Sequence, residues 1–319
     1  MRKLAIIAGI ALVIGACSKS TEPGIIDYGV VSCGADNGGT ITLTFTAPNG
    51  TTPIAGAVVS VANCRVKTDG RGSVLMLDVP AGNYTLTIKK GIFEVSRNVS
   101  VESGQEVSLG TISIPPDAKK MLVILGDFDS IQEVLARLGF VYDSIPCYSF
   151  ITWSQDSINA YDYIFFNCGA GCDEQDMGDT LRPKLRNFLN MGDRRIYASD
   201  WQYEVVEIID SSAIDFYGTG GMTGEVMARV LDPDLIEALG RDSMLINFDM
   251  PHWAVMIDVG PQTDILIKGD APIFDSTLTD VPFAVIFPYG QGKVLYTSFH
   301  NEAQNTEDMD VILEQMILK

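Results

Sequence analysis

The stretch MLVILGDFDSIQEVLARLG, residues 121–139, decides the fold of the larger part of the chain. It opens on a continuous apolar run that is too short for an ordinary helix and is typical of a strand buried on both faces. Further apolar residues then recur at helical spacing, at Ile131, Val134, Leu135 and Leu138. Gly139 follows as a stop signal. The stretch therefore predicts a buried strand followed by an amphipathic helix.

The same alternation continues along the chain. YDYIFFN at 161–167 predicts a second buried strand, LRPKLRNFLNMG at 181–192 a helix, and RRIYAS at 194–199 a third strand. Buried strands that alternate with amphipathic helices indicate a parallel sheet covered on both sides. Further along, short strands predominate, with two strands joined by a turn at 283–299 and a closing helix at 308–318. We therefore expect an α/β domain with an antiparallel addition near its end.

Short strands rich in Val, Ile and Thr fill the region before this domain. Between Gly38 and Ile114 they are separated by Asn-Gly, Asp-Gly and Ala-Gly turns, and no helical period interrupts them. This pattern predicts a small all-β sandwich. Two prolines in IPPDAKK, residues 114–120, mark its end. We accordingly expect two domains, a sandwich at residues 25–114 and an α/β domain at residues 116–319.

The sandwich region carries a family resemblance. PIAGAVVSV at 53–61 and KTDGRGSVLMLDVPAGNYTLTIKKGIF at 67–93 resemble the carboxypeptidase regulatory-like domain, an Ig-like or prealbumin-like sandwich related to carbohydrate-binding-like folds. The resemblance implies a spacer, an adhesion module or a sugar binder. Sugar binding favours exposed aromatic rings, whereas Phe45 and Tyr84 lie on strand patterns that predict burial. We therefore expect this domain to be a spacer.

A second resemblance covers most of the α/β domain. MLVIL with its following helix, YDYIFFNCG, RRIYASDW and YGQGKVLYTSFHNE at 289–302 resemble the class I glutamine amidotransferase-like superfamily, including its trehalose-utilisation-like branch. The resemblance implies a flavodoxin-like, three-layer domain. It also implies that a late strand delivers a catalytic base, His300, and, two residues later, the acid that orients it, Glu302.

The nucleophile of that superfamily is absent from the matching position. The superfamily places a cysteine in a sharp turn between a strand and a helix, where the pKa of the thiol falls. Here the turn reads Ser199-Asp200-Trp201-Gln202. This departure argues against amide hydrolysis by a Cys-His-Glu triad.

Three other nucleophiles are conceivable. Ser199 or the carboxylate of Asp200 can serve when a base is close, and Cys168 sits at the end of a neighbouring parallel strand. No second motif supports Ser199 or Asp200, and Cys172, four residues after Cys168 in a glycine-rich loop, suggests a disulfide or a structural pair instead of a nucleophile. We expect instead that His300 caps the last strand and bonds to Asp200 or Glu302.

Polar side chains at the carboxyl ends of the strands predict a ligand site. Ligands bind in the crevice at this edge of open α/β sheets. Asp127, Asn167 and Trp201 are expected to line it, together with Asp200 and His300. Acids, an amide and an indole suit a sugar or another small polar ligand.

The sequence predicts no metal and no cofactor. A zinc site is disfavoured because the two histidines, His252 and His300, lie far along the chain from the cysteines and no pair of CxxC motifs exists. His252 is expected to be a surface or loop residue. The acidic runs GDFDS and CDEQDMGD lack the oxygen-ligand spacing of a calcium loop.

The start of the chain predicts secretion and lipid attachment. Two cations, an apolar run from Leu4 to Ile14 and small residues precede Cys17, as in a bacterial lipoprotein signal. The resemblance of Ile14-Gly15-Ala16-Cys17 to a lipobox implies a signal peptide at 1–16, acylation of Cys17 and a tether at 17–24. Ser18 follows the cysteine, which favours the outer membrane or cell surface.

The cysteine count limits the possible disulfides, and the net charge limits the possible binding partners. With Cys17 lipidated, five of the six cysteines remain; Cys33 and Cys64 form a natural disulfide pair, and Cys147 can join Cys168 or Cys172. The formal charge of −19 disfavours nucleic acid and leaves the lipid anchor as the expected membrane contact.

Taken with the missing nucleophile, these features favour a non-catalytic surface protein that binds a carbohydrate or peptide. The rival interpretation is a hydrolase of amide or glycan material that uses His300 as its base.

Overall fold

The computed structural model describes residues 27–171, 177–300 and 306–319. Several features predicted from the sequence lie outside these residues: the signal peptide at 1–16, the tether at 17–24, Cys17, Cys172 and Glu302. Among the described residues, none of the helices combines the length and the apolar character that crossing a bilayer requires.

The first part of the described chain contains two four-stranded sheets. Their strands are β1 (Val30–Ser32), β2 (Gly39–Thr46), β3 (Val58–Val61), β4 (Cys64–Lys67), β5 (Ser73–Val79), β6 (Gly82–Lys90), β7 (Phe93–Val101) and β8 (Glu106–Ser113). One sheet has the order β1-β5-β2-β8 and the other β4-β3-β6-β7. Both contribute side chains to one buried core, so this region is an all-β unit as the sequence predicts.

Alternation along the strands explains this core. In β2, the apolar residues Ile41, Leu43 and Phe45 are buried, while the threonines between them are partly exposed. A disulfide between Cys33 and Cys64 joins the segment after β1 to β4, and therefore connects the two sheets. The predicted pairing of these cysteines is confirmed.

The second part of the chain is built on a nine-stranded sheet. Its order is β10-β9-β11-β12-β19-β18-β17-β14-β15, with these bounds: β9 (Met121–Leu125), β10 (Tyr142–Pro146), β11 (Tyr163–Phe166), β12 (Arg195–Ser199), β14 (Gly224–Val230), β15 (Ser243–Phe248), β17 (Asp264–Ile273), β18 (Ser276–Tyr289) and β19 (Gly292–Thr297). The first five strands in this order are parallel, and the rest are added antiparallel. A separate antiparallel pair consists of β13 (Ile214–Gly218) and β16 (Val255–Val259).

Helices cover both faces of the parallel part. They are α1 (Ile131–Leu138), α2 (Cys147–Thr152), α3 (Gln155–Asn159), α4 (Arg182–Asn190), α5 (Tyr203–Asp210), α6 (Pro233–Leu239) and α7 (Glu307–Met316), with a π-helical turn at Met177–Leu181 before α4 and a 3₁₀ turn at Asp200–Gln202 before α5. Alternate residues of each parallel strand enter two separate cores, one shared with α1 and α7, the other with α2 to α5. The two-domain architecture with an α/β second domain is therefore present.

The stretch at 121–139 folds as its pattern predicts. Met121, Leu122, Val123 and Ile124 are fully or almost fully buried, as expected for a strand with a helix layer on each side. All four apolar positions of α1 are buried, and Gly139 ends the helix in the left-handed region with φ 85°.

The two domains share one hydrophobic core. The core that contains α1 and α7 also contains the side chains of the sandwich, and Phe93 of β7 packs on Phe140 with ring centroids 5.3 Å apart. The buried amide of Gln315 in α7 donates to the carbonyl of Pro53 (3.0 Å) and accepts from the backbone N–H of Ala55 (3.3 Å). The sandwich is thus docked directly on the α/β domain.

An ion-pair cluster seals the same interface. Asp234 of α6 accepts hydrogen bonds from the Tyr28 hydroxyl (2.6 Å), the Lys67 ammonium (2.8 Å) and the Lys90 ammonium (2.8 Å). Lys90 is buried, with only 4% of its side chain exposed. We call these four residues the interdomain clamp.

Candidate functional site

The site forms where four parallel strands end at one edge of the sheet. The strands β9, β11, β12 and β19 run in the same direction and are neighbours in that sheet. The residues after β11, β12 and β19 bring Cys168, Asp200 and His300 to this edge. The fold therefore gathers three chemically active side chains that are far apart in sequence.

Asp200 stands at the sharp turn between β12 and α5. Its backbone lies in the left-handed region, with φ 46°, which costs a residue other than glycine about 1–3 kcal/mol. Two hydrogen bonds hold it there: its Oδ1 accepts from the Ala254 N–H (2.7 Å), and its carbonyl accepts from the Tyr296 hydroxyl (2.7 Å). The carboxylate thus occupies the turn in which the amidotransferase resemblance places a cysteine.

The Asp200 carboxylate lies between a thiol and an imidazole. Its Oδ2 is 3.4 Å from Cys168 Sγ and 3.4 Å from His300 Nε2. All three ligand atoms lie within 4.8 Å of one another. The exposed fraction is 1% for Cys168, 4% for Asp200 and 12% for the His300 side chain. The three groups are therefore screened from bulk solvent, and His300 is the most exposed of them. The expected contact between His300 and Asp200 is present.

Cys168 is a buried, free thiol among the described cysteines. Burial raises its pKa far above the ordinary value, and the negative charge of Asp200 raises it further, although a hydrogen bond from the Trp201 backbone opposes the shift. Unless a cation binds beside it, the Cys168 thiol is therefore protonated at neutral pH, and a protonated thiol is a weak nucleophile. Because Cys168 is free and Cys147 is disulfide-bonded, Cys168 is not the partner of Cys147; the other partner that the sequence leaves open, Cys172, lies outside the described residues.

Ser199, the other predicted nucleophile at this turn, lies in a buried network. Its hydroxyl donates to the carboxylate of Asp129 and accepts from the Cys168 N–H (3.1 Å). Ser199 is fully buried and Asp129 almost so. These bonds join the end of β12 to the segments after β9 and β11, which positions the backbone that carries the Cys168 thiol.

The three residues predicted to bind a ligand have different positions. Trp201 lines the pocket at the site, is half-buried, and donates from Nε1 to the carbonyl of His252 (2.7 Å). Asn167 is fully buried, and its amide donates to the Asp129 carbonyl (2.9 Å) and to Gln132 (2.8 Å). Asp127 is exposed to solvent and does not line this pocket. The structure therefore brings only Trp201 of these three to the pocket.

The pocket is narrow and has an aromatic wall. Phe128 and Trp201 contribute one pair of rings to its lining, at 70° to each other and with centroids 5.2 Å apart. Phe248 and Trp253 contribute a second pair, stacked with centroids 3.9 Å apart. The cavity volume is about 20 Å³, which is room for about one water molecule.

Sequence reasoning missed the second pair of rings. It comes from β15 and the loop before β16, in the stretch NFDMPHWA at 247–254, whose pattern indicates only a strand end followed by a surface loop. The loop histidine, His252, is indeed exposed and has φ 70°. Trp253 next to it is buried, and its Nε1 donates to the Met222 carbonyl (2.9 Å). A tryptophan two residues after a proline and four after an aspartate was the available signal.

Comparison with known proteins gives similarity of fold at low sequence identity. No family model matches the chain, and none of the curated proteins matches it. Solved structures with a similar arrangement include a Thermoplasma acidophilum protein named as a GMP synthase subunit, with 12% identity, TM-score 0.43, and coverage of 62% of this chain and 92% of that one. A glutamine amidotransferase from Thermotoga maritima has 10% identity, TM-score 0.40, and coverage of 57% and 75%. A ThuA-like protein from Parabacteroides merdae has 13% identity, TM-score 0.40, and coverage of 61% and 87%. Similarity at this level says nothing about activity.

Proposed function

We propose that this chain is a secreted, lipid-anchored surface protein whose α/β domain binds a small polar ligand, a carbohydrate or a peptide, without cleaving it. One observation carries the proposal: at the carboxyl edge of the sheet, the half-buried rings of Phe128 and Trp201 stand beside the polar groups of Asp200 and His300. Aromatic faces next to a few fixed polar groups are the usual composition of a small-ligand site.

The state of Asp200 supports binding over covalent chemistry. The position that holds the nucleophile in the amidotransferase resemblance is taken by a carboxylate, whose Oδ1 accepts from the Ala254 N–H and whose Oδ2 lies 3.4 Å from both Cys168 Sγ and His300 Nε2. A carboxylate engaged in this way is a stabilised acceptor, and attack on a carbonyl would require it to give up these partners. We therefore assign Asp200 a binding role.

The size of the cavity limits how a ligand sits. A volume of about 20 Å³ admits a single water molecule or one small group, not a whole sugar ring. A glycan or peptide would therefore lie across the aromatic rim and direct one polar group towards Asp200 and His300. In this arrangement the half-buried rings of Phe128 and Trp201 supply the aromatic contact.

The test is binding of the full chain to glycan and peptide arrays, followed by titration of the best ligand. Truncation of an aromatic anchor at a binding site costs about 2 kcal/mol or more, so Trp201→Ala should weaken binding about 30-fold or more. Tyr148→Ala is the matched control, because Tyr148 is an aromatic residue that is 73% exposed and does not line this pocket. Equal affinity of the Trp201 variant and wild type would refute the proposed site.

A second candidate is a hydrolase of amide or glycan material with His300 as base. The observation in its favour is the strained backbone of Asp200, since φ 46° at a strand-to-helix turn places a side chain 3.4 Å from the His300 imidazole. Release of ammonia or reducing ends by the wild type, lost in a folded His300→Ala variant, would establish this activity. Absence of turnover together with saturable binding favours the first proposal.

The lipid anchor and the role of the sandwich are further parts of the proposal. The lipobox-like sequence before Cys17 supports acylation of that residue and an outer-membrane or surface location. We assign the sandwich a prealbumin-like fold that spaces the α/β domain from the membrane, and its docked position suits it to present that domain as one unit. Incorporation of labelled palmitate that persists in Cys17→Ser would contradict the anchor.

A further inference from the structure

We propose that Cys168, Asp200 and His300 bind one divalent metal ion of the zinc type at the bottom of the pocket. This metal site refines the proposed ligand-binding role. The purpose of the bound ion, which is to hold a polar group of the ligand, rests on that proposed role. Each of the three residues offers one ligand atom, and these atoms lie within 4.8 Å of one another. They come from the ends of three adjacent strands, β11, β12 and β19, so the rigid part of the sheet sets their spacing.

Two of the three interatomic distances match the edges of a tetrahedral site, and the third, between the thiol and the imidazole, is within 4.8 Å. Zinc lies about 2.3 Å from sulfur and about 2.0 Å from nitrogen or oxygen, so a tetrahedron has S···O edges of about 3.5 Å and N···O edges of about 3.3 Å. The Cys168 Sγ to Asp200 Oδ2 and His300 Nε2 to Asp200 Oδ2 distances are both 3.4 Å. The second is long for a hydrogen bond between N–H and a carboxylate, for which about 2.7–2.9 Å is usual. The His300–Asp200 spacing therefore fits shared coordination better than a direct hydrogen bond, and the Cys168–Asp200 spacing, which is that of an S–H···O hydrogen bond, fits coordination equally well.

The chemistry of the ligand set selects the class of metal. A thiol, an imidazole and a carboxylate together suit zinc and similar transition ions, whereas calcium and magnesium prefer oxygen ligands alone. Three protein ligands leave a fourth position open, as in zinc sites that bind water or a ligand. The pocket has room for about one water molecule beside these residues. A polar group of the proposed glycan or peptide would exchange with that water.

The surroundings hold two of the ligands in place. The Ala254 N–H donates to Asp200 Oδ1 (2.7 Å), which orients the carboxylate and leaves Oδ2 directed at the other two residues. The Cys168 backbone N–H donates to the buried Ser199 hydroxyl (3.1 Å), which fixes the loop that carries the thiol. Hydrogen bonds of this kind around the ligands are typical of built metal sites.

The experiment uses the purified full chain, treated with a chelator and then titrated with Zn²⁺ and with Co²⁺. We expect one ion per chain, release of protons on binding, and the charge-transfer absorption of a cobalt–thiolate bond. Cys168→Ser should abolish that absorption, and His300→Ala should weaken binding by about 100-fold or more, since loss of a group that only supports a ligand already costs about 10–100-fold. His252→Asn is the matched control, because the chain has only two histidines and Asn tolerates the φ of 70° at this position.

The outcomes separate the metal site from the proposed function. Absence of stoichiometric binding, or binding that survives both Cys168→Ser and His300→Ala, overturns the metal site. If one of the two variants fails to fold, the other still decides, because each removes one ligand of the site. Glycan or peptide binding by the metal-free chain, with no metal uptake, would leave the proposed function standing alone, whereas metal uptake without any such ligand would leave the metal site alone.

Discussion

Removing the charge of Asp234 should destabilise the protein far more than removing a comparable charge from the surface. Asp234→Asn keeps the shape of the side chain but leaves the Lys90 ammonium, whose side chain is 4% exposed, without its counter-charge. Breaking a buried ion pair from one side costs about 3–5 kcal/mol, because the remaining charge cannot be rehydrated. The Lys67 side chain is 26% exposed and can turn towards water, so the loss of its ion pair adds little to the destabilisation. We expect a loss of about 3–5 kcal/mol in the free energy of unfolding.

The chain offers a matched control in Asp280. It also pairs with two cations, with Lys268 Nζ at 2.6 Å and Arg229 at 3.0 Å, but its side chain is 61% exposed. Asp280→Asn should leave the stability unchanged within error. The assay is denaturant unfolding followed by circular dichroism, with the slope of the transition compared among the variants. Equal midpoints for the Asp234 and Asp280 variants would refute the reasoning about the clamp.

A double variant separates the buried charge from the packing. Lys90→Met together with Asp234→Asn removes both charges, and buried pairs replaced by apolar residues are often neutral or better. We expect the double variant to recover part of the stability lost by Asp234→Asn alone, as a coupled pair should. A loss equal to the sum of the two single losses would show that the two charges do not interact.

The clamp also predicts how stability changes with pH. Burial, and after it the charge of nearby Lys319, lowers the pKa of Lys90 from 10.5 to about 8, although Asp234 and Asp232 oppose the shift. The unfolded chain then binds more protons than the folded one between pH 8 and 10.5, so this residue makes stability rise with pH across that window. Burial raises the pKa of Asp234, but Lys90, Lys67 and Tyr28 outweigh it and hold the pKa below its ordinary value. Its contribution is therefore present above pH 3.8 and is lost as the pH falls through the lower folded value.

Three further variants test the packing of the sandwich against the α/β domain. Gly56→Ala places a methyl group against the Asp234 carboxylate at a backbone φ of 70°, so the midpoint of thermal unfolding should fall, and an unchanged midpoint would contradict the close approach. Phe93→Ala removes a buried ring that packs on the α/β domain and should cost about 3–5 kcal/mol in denaturant unfolding; a loss below about 1 kcal/mol would show that the ring is not in the interface core. Cys64→Ser removes the disulfide between the sheets and should lower the free energy of unfolding by about 2–5 kcal/mol. The comparison is with wild type under oxidising conditions, and equal stability would contradict the prediction.

Much of the fold was predictable from local pattern. Runs that are buried on both faces, such as residues 121–124, are typical of strands in the middle of a covered sheet. The strand β10 was missed because it lies at the edge of the sheet, where Asp143 and Ser144 face solvent and conceal the apolar pattern. The helix α6 was missed although its signals are present: Asp232 caps it by accepting from the Leu235 N–H (3.0 Å), and a proline opens it.

The site was less predictable because it depends on contacts across long sequence separations. Sequence placed Asp200, Trp201 and His300 at the correct edge, since the ends of parallel strands share it. It could not show that Cys168 lies against Asp200, which depends on the path of the loop after β11. Zinc was disfavoured from the sequence for the same reason: the candidate ligands are distant along the chain, and their ligand atoms are neighbours only in the folded sheet.

The single core that spans both domains has a consequence for cooperativity. Side chains from β2 in the sandwich and from α1 and α7 in the α/β domain belong to one continuous cluster, so neither part can lose its packing without exposing the other. Calorimetry should accordingly record one melting transition for the two units. Cleavage of the connecting segment at 115–120 should leave the two fragments associated. The chain therefore consists of two domains in sequence, but the two domains should unfold together.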